Sequence, residues 1–385
     1  MLKFRTLTCA LALAAALGGA QAMAQEWPDL PVGIKSGVSA RIGDTILVGL
    51  GTAGQALYAL DLNNIADGWT ERASFIGAPT NGAASIASNG KLYIFGGNGK
   101  ETADAVSPII FDTAYVYDLA ADSWAKLDTT TPAGLSGARA MSAADGRIVI
   151  AGGYNKALFD KYLNDVNTTD SKTEPDKYAA IVQGYMAQPP EFYEWNDTLL
   201  TYDPATNSWG DMGENPFLPN CDAAFVDLGN DKFLLLNGEI KPGLRTDEVK
   251  TITLTSDGAT WEAQASLPAP SSATAQEGVA GAYAGQVGDT VLLAGGANFP
   301  GARDNSQAGK WFAHEGLTKT WRDEIYALTN GAWSQVGALP EGMGYGASFS
   351  LPEGVLLVGG EDSTGAPRTD VRLMQWDGSA VAFVE

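Results

Sequence analysis

An all-β fold, a propeller of six four-stranded blades, is predicted by three features of this 385-residue chain. Apolar runs end repeatedly in two glycines: Ile94-Phe95-Gly96-Gly97, Val149-Ile150-Ala151-Gly152-Gly153, Leu293-Ala294-Gly295-Gly296 and Leu357-Val358-Gly359-Gly360. Groups of four short strand-like segments, separated by Gly, Asn and Asp turns, return about every 45 to 60 residues, a spacing suited to a blade. A tryptophan stands near the end of most copies, at Trp69, Trp124, Trp209, Trp261 and Trp333. One large aromatic at the same point of each repeat suits the gap between neighbouring blades, where burial contributes roughly 2–3 kcal/mol.

Taken in order, the first 24 residues read as an export leader and stand outside the fold. Lys3 and Arg5 precede an apolar run from Leu7 to Leu17, and Ala22-Met23-Ala24 forms a small-x-small cleavage pattern before Gln25. Residues 25–385 then form a single propeller domain. The first copy runs from Gly37 to Thr70, the second from Gly82 to Trp124, and the third begins at Gly137. The third is interrupted over residues 156–195, where Leu158, Tyr162, Leu163, Tyr178, Ile181, Val182 and Tyr185 fall at helical spacing ahead of Pro189-Pro190. This predicts a helical insertion in blade three, with a linker over residues 168–175 either structured or not. Copies four, five and six begin near Cys221, Gly278 and Gly344. Glu26-Trp27-Pro28-Asp29-Leu30-Pro31 resembles a blade end, and this segment is expected to pair with blade six and close the ring, in competition with Val381–Val384.

Composition removes several function classes. The formal charge of −21 includes the basic leader residues, and no basic stripe suits a nucleic acid. Beyond the leader no run reaches the length of a membrane span, so no membrane association is expected. Cys9 lies in the leader, which leaves Cys221 without an intramolecular partner and rules out a cysteine-pair metal site. No cofactor or metal is implied: His314 is the single histidine, too few for a copper set, and the carboxylates lack calcium-loop spacing. A closed ring offers no open sheet edge, so the expected state is a monomer.

One copy breaks the glycine rule. After Leu234-Leu235-Leu236 the first glycine is replaced by Asn237, and Glu239 and Arg245 follow six residues apart. The residues alone leave two readings open, a salt bridge that pins a long loop or a working acid–base pair. Equivalent loops place Arg303, Asp304, His314 and Glu315 in blade five, Glu361 in blade six, and Asn98 and Tyr154 in earlier blades on one face. Arg139 and Arg368 look peripheral.

The chain resembles the kelch-repeat propellers. More narrowly, Asn237-Gly238-Glu239-Ile240-Lys241-Pro242-Gly243-Leu244-Arg245-Thr246-Asp247, Ala313-His314-Glu315-Gly316-Leu317 and the blade-three insertion resemble the bacterial N-acetylneuraminate epimerases, periplasmic sialic acid mutarotases. That resemblance covers essentially the whole chain after the leader. It implies a periplasmic isomerase that interconverts the α and β anomers of sialic acid through ring opening and reclosure, with Glu239 as proton acceptor and Arg245 linked to activity. Pro79-Thr80-Asn81-Gly82 departs from the family, which tends to carry arginine and aspartate after the proline. On this reading Glu239 is the base, Arg245 holds the sugar carboxylate or developing charge, and His314 is either the acid or a structural residue. Arg303, Glu315, Asn237 and Glu361 are the candidate substrate contacts. A non-catalytic lectin for acidic sugars and a protein-interaction propeller are the alternatives.

Overall fold

The computed structural model describes residues 26–384, so the expected leader lies outside the described residues. Six four-stranded sheets follow one another along the chain, the strands of each lying antiparallel and side by side in chain order. Blade four shows the pattern: Ala224 pairs with Leu236, Leu236 with Val249, and Lys250 with Ala263. The second strand of each sheet is a continuous apolar run because both of its faces are covered. In blade one, Ile46, Leu47 and Val48 are at most 2% exposed. Ile46 and Val48 pack toward Phe349 and Leu356 of blade six, while Leu47 packs toward Leu92 and Tyr117 of blade two. Four further apolar clusters fill the remaining gaps between successive blades, so the six sheets form a closed ring.

The ring is also closed by backbone. Two residues before each innermost strand stand Ser36, Gly82, Gly137, Asp222, Gly281 and Tyr345, all at positive φ between 50° and 74°. Each donates its N–H to the carbonyl of the corresponding residue in the preceding blade, and Ser36 donates to Tyr345, at 2.7–2.9 Å throughout. These six bonds form a head-to-tail cycle about the axis. The paired glycines lie just outside it, at the end of the second strands of blades two, three, five and six rather than on the innermost strands. There an added Cβ on Gly152 would stand 2.1 Å from the Asn220 carbonyl oxygen. Asn237 keeps the left-handed conformation of the glycine it replaces, with φ 57°, which asparagine tolerates better than most side chains.

The outer-strand tryptophans work as the repeat suggests. Trp124, Trp209 and Trp333 donate their indole N–H to Ala73, Thr129 and Ala265 at the end of the preceding blade. Trp69 donates to the Pro28 carbonyl, which gives the N-terminal segment the place of a preceding blade end. The expected strand pairing of that segment is corrected. Val381–Val384 is the fourth strand of blade six, in register with Leu373 to Trp376. Trp27 sits off any strand, buried with Leu30 between blades six and one. Leu30 and Ile34 donate to the carbonyls of Thr369 and Arg368.

The insertion is helical: α1 spans Lys156–Asn167 and α2 spans Pro175–Met186. Asn155 caps α1 by accepting from the Leu158 amide, and Pro175 opens α2 where its missing N–H costs nothing. Residues 168–174, between the helices, form turns with Thr169 buried. Stacking of Tyr162 on Tyr185, with ring centres 4.2 Å apart, and packing of Tyr185 and Tyr193 near Trp195 and Cys221 seat the insertion on the axial face.

Candidate active site

Blade four carries the centre of the site on a small hairpin. Glu239–Lys241 pairs with Leu244–Arg245, and Glu239 stands directly opposite Arg245. Cross-strand pairing thus brings a carboxylate and a guanidinium together without help from elsewhere. Their charged atoms lie 2.7 Å apart, with 4% of the Arg245 and 10% of the Glu239 side chain exposed. The turn between them needs Gly243, at φ 79°, because the His314 ring lies where a Cβ would go, 1.7 Å from its Nδ1.

Other blades complete the surroundings. Tyr154, at the entry to the insertion, donates its hydroxyl to the second Glu239 oxygen at 2.7 Å. Burial, with the Glu239 charge beside it, holds this phenol well above its ordinary pKa, so it stays a donor. Arg245 reaches the Ala297 carbonyl and the Tyr345 hydroxyl, and lies over the Phe299 ring. Burial alone would lower the Arg245 pKa, but Glu239 and Tyr345 raise it above its ordinary value.

A second charged group lies on the rim. Lys319 sits 4.4 Å from the centres of both the Trp321 and Tyr345 rings and binds Glu361 at 2.7 Å. Lys35 binds the other Glu361 oxygen at 2.5 Å. Burial would raise the Glu361 pKa, but its bonds to Lys319 and Lys35 hold it below the usual glutamate value. Two lysines thus share one carboxylate, and the group carries a surplus positive charge within a strongly acidic chain.

Glu239, Arg245 and His314 therefore lie together, while Glu361 belongs to the second charged group, linked to Arg245 among the described residues only through Lys319 and Tyr345. The remaining candidates are placed differently. The Asn237 side chain donates to the Glu248 carbonyl, behind the hairpin. Arg303, on α3 (Ala302–Gln307), pins that helix to Asp247 at 2.8 Å and to the Gln276 carbonyl, with no bond to the Glu239 group. Glu315 is exposed to solvent in a turn. His314 packs between Phe299 and Phe312, and burial, with Arg245 nearby, lowers its pKa to about 4. The lowered pKa favours the neutral imidazole near pH 7.

Tyr345, Lys319, Lys35 and Asp222 have no signal at their own positions beyond the start of an innermost strand or an ordinary loop. Tyr154 is visible only as the residue after a glycine pair, and Arg139 is not peripheral, since it lies 3.9 Å from Asp222 at the axis. At the departure Thr80-Asn81, Thr80 is buried and donates to the Gly96 carbonyl, and Asn81 pairs with Asn98.

A family model described as N-acetylneuraminate epimerase matches residues 27–383. An N-acetylneuraminate epimerase of Brucella melitensis is 56% identical over 99% of this chain and 98% of its own length. One of Vibrio cholerae is 47% identical over 94% of this chain and 93% of its own. A solved structure described as "Structure of YjhT" superposes with a TM-score of 0.87 at 36% identity, over 93% of this chain and 99% of that one. With a family match along nearly the whole described chain and relatives this similar at full length, the chain belongs to the N-acetylneuraminate epimerase family.

Proposed function

We infer that this protein is an isomerase that interconverts the α and β anomers of N-acetylneuraminate, with Glu239 taking the proton of the anomeric hydroxyl. The observation that carries the assignment of roles is the grip on Glu239, a nearly buried carboxylate held by Arg245 on one oxygen and Tyr154 on the other, each at 2.7 Å. Fixed partners hold a base in one orientation and reduce the reorganisation needed during proton transfer. Loss of that proton, with protonation of the ring oxygen, breaks the bond between the anomeric carbon and the ring oxygen and leaves an open 2-keto acid. Rotation about the bond to the carbonyl carbon and reclosure on its other face give the second anomer, and Glu239 returns the proton.

The surplus charge of Lys35 and Lys319 over Glu361 suits the carboxylate of this sugar, as does Arg245, whose Nη1 is close to Glu239 without a hydrogen bond among the described residues. The large apolar side chains exposed among the described residues, such as Ile76 and Val106, are not part of this polar group. Proton NMR of freshly released α-N-acetylneuraminate, following the C3 methylene signals, tests the activity. The protein should speed approach to an unchanged α/β equilibrium; buffer-like rates with saturable shifts of the sugar resonances would identify a lectin instead.

Export to the periplasm follows as part of the same proposal, from the leader at residues 1–24. N-terminal sequencing of protein from a periplasmic extract should begin at Gln25, and a chain that begins at Met1 would contradict it.

A further inference from the structure

Of the two cationic groups that suit the sugar carboxylate, we propose that Lys319, rather than Arg245, takes it, and that this contact confines the site to acid sugars. The assignment rests on the reading of the site as a sialic acid isomerase.

Arg245 is already occupied. One of its amino groups lies 2.7 Å from Glu239, its Nε and Nη2 donate to the Ala297 carbonyl and the Tyr345 hydroxyl, and its central carbon stands 5.0 Å from the centre of the Phe299 ring. Only 4% of the side chain is exposed. A sugar carboxylate bound to Arg245 would compete with Glu239 for it and unseat the base that the reaction needs.

Lys319 is open. About 30% of its side chain is exposed, and among the described residues its ammonium has one acceptor, Glu361 Oε1, of the three it can serve. Trp321 donates to the same oxygen at 3.1 Å. The other Glu361 oxygen already has Lys35, which also donates to the Gly365 carbonyl at 2.6 Å. Glu361 is thus neutralised without Lys319. Arg139, Arg245, Lys319 and Lys35 face Asp222, Glu239 and Glu361, which leaves one positive charge in excess for a sugar that brings one carboxylate.

Lys319 also has the right neighbours. The anomeric hydroxyl and the carboxylate share one carbon, so the group that takes the carboxylate has to lie beside the base pair without belonging to it. Tyr345 sets that spacing: its hydroxyl accepts from Arg245 at 3.4 Å, and Lys319 lies 4.4 Å from its ring centre. This tyrosine stands at φ 61°, an outlying conformation for a bulky residue. Gly281 makes room for its ring, which would lie 2.5 Å from a Cβ there. A side chain kept at such a cost points to work done by it; here it holds Arg245 and Lys319 at a fixed separation. Asp222 lies in the field of Glu239, Arg245 and Lys319 together, so the two cations share one neighbourhood.

The test compares N-acetylneuraminate with its uncharged methyl ester in wild type, Lys319→Met, Lys319→Arg and Arg245→Lys. Anomer exchange at equilibrium, followed by NMR saturation transfer, gives kcat and KM, and NMR titration gives dissociation constants for variants too slow to follow. Wild type should favour the acid. Lys319→Met should weaken the acid roughly 10–100-fold, the span of a hydrogen bond to a charged group, with the loss in KM rather than kcat. The ester should change little, so the preference disappears. Lys319→Arg should keep most of it, because the charge remains. Arg245→Lys should slow both sugars alike and keep the preference. Equal losses for acid and ester in Lys319→Met, an unchanged acid KM there, or a preference lost in Arg245→Lys would overturn the assignment. Wild-type exchange at the buffer rate would overturn the isomerase reading instead, and the dissociation constants of acid and ester would then decide the carboxylate contact on their own.

Discussion

A guanidinium as buried as that of Arg245 depends on its counterion. Removing the Glu239 charge leaves Arg245 uncompensated, and breaking a buried pair from one side costs roughly 3–5 kcal/mol. Glu239→Gln should therefore melt clearly below wild type, while Glu239→Gln with Arg245→Met should recover most of the loss; equal melting of all three would contradict a buried pair. His314 gives a pH prediction. Its pKa is about 4 in the fold and roughly 6.5 in an unfolded chain, so between these values the unfolded chain binds the additional proton. Its contribution to stability is complete above about pH 6.5 and is lost as pH falls toward 4. The fall in melting temperature from pH 6.5 to 4 should be shallower in His314→Gln; parallel curves would show no such linkage. Glu239 and Arg245 were legible because they follow a break in a repeat. The proton state of His314 was not, because Phe299 and Arg245 help to set it from other parts of the chain.

Lys241 ties three elements together on the axial face. It is fully buried, lies over the Tyr193 ring, and donates to the carbonyls of Met186 at the end of α2 and Trp311 in the blade-five loop. Burial lowers its pKa to about 8. Lys241→Met should free the end of α2 and the loop around Trp311 while the blades stay folded. Hydrogen exchange followed by mass spectrometry should show faster exchange in those two segments alone; unchanged rates there would show that other contacts seat the insertion. The helices themselves were legible from the spacing of Leu158, Tyr162, Tyr178 and Tyr185. What they deliver to the site was not, since Tyr154 meets Glu239 from 85 positions away in the chain, and Lys319 meets Lys35 through Glu361 across the ring closure.

Six repeats fix the number of blades, and the period of glycine pairs and tryptophans carries that number in the sequence. The closure is less visible. Trp27 is buried between blades six and one without being on a strand, and the backbone cycle includes Ser36, Asp222 and Tyr345 where a glycine rule alone would miss three of its six members. Deleting residues 26–31 removes the burial of Trp27 and Leu30, worth roughly 2–3 kcal/mol each, and the acceptor for Trp69. The melting temperature should fall by roughly 5–10 °C, and no change would remove the fastening role. With every gap between blades filled, the account turns on the Glu239 carboxylate held by Arg245 and Tyr154. The most direct test is the rate at which Glu239→Gln protein converts freshly released α-N-acetylneuraminate, by proton NMR at a temperature where it is fully folded. The account predicts a rate at or near that of buffer while wild type speeds the approach to the same equilibrium; a Glu239→Gln rate equal to wild type would contradict it.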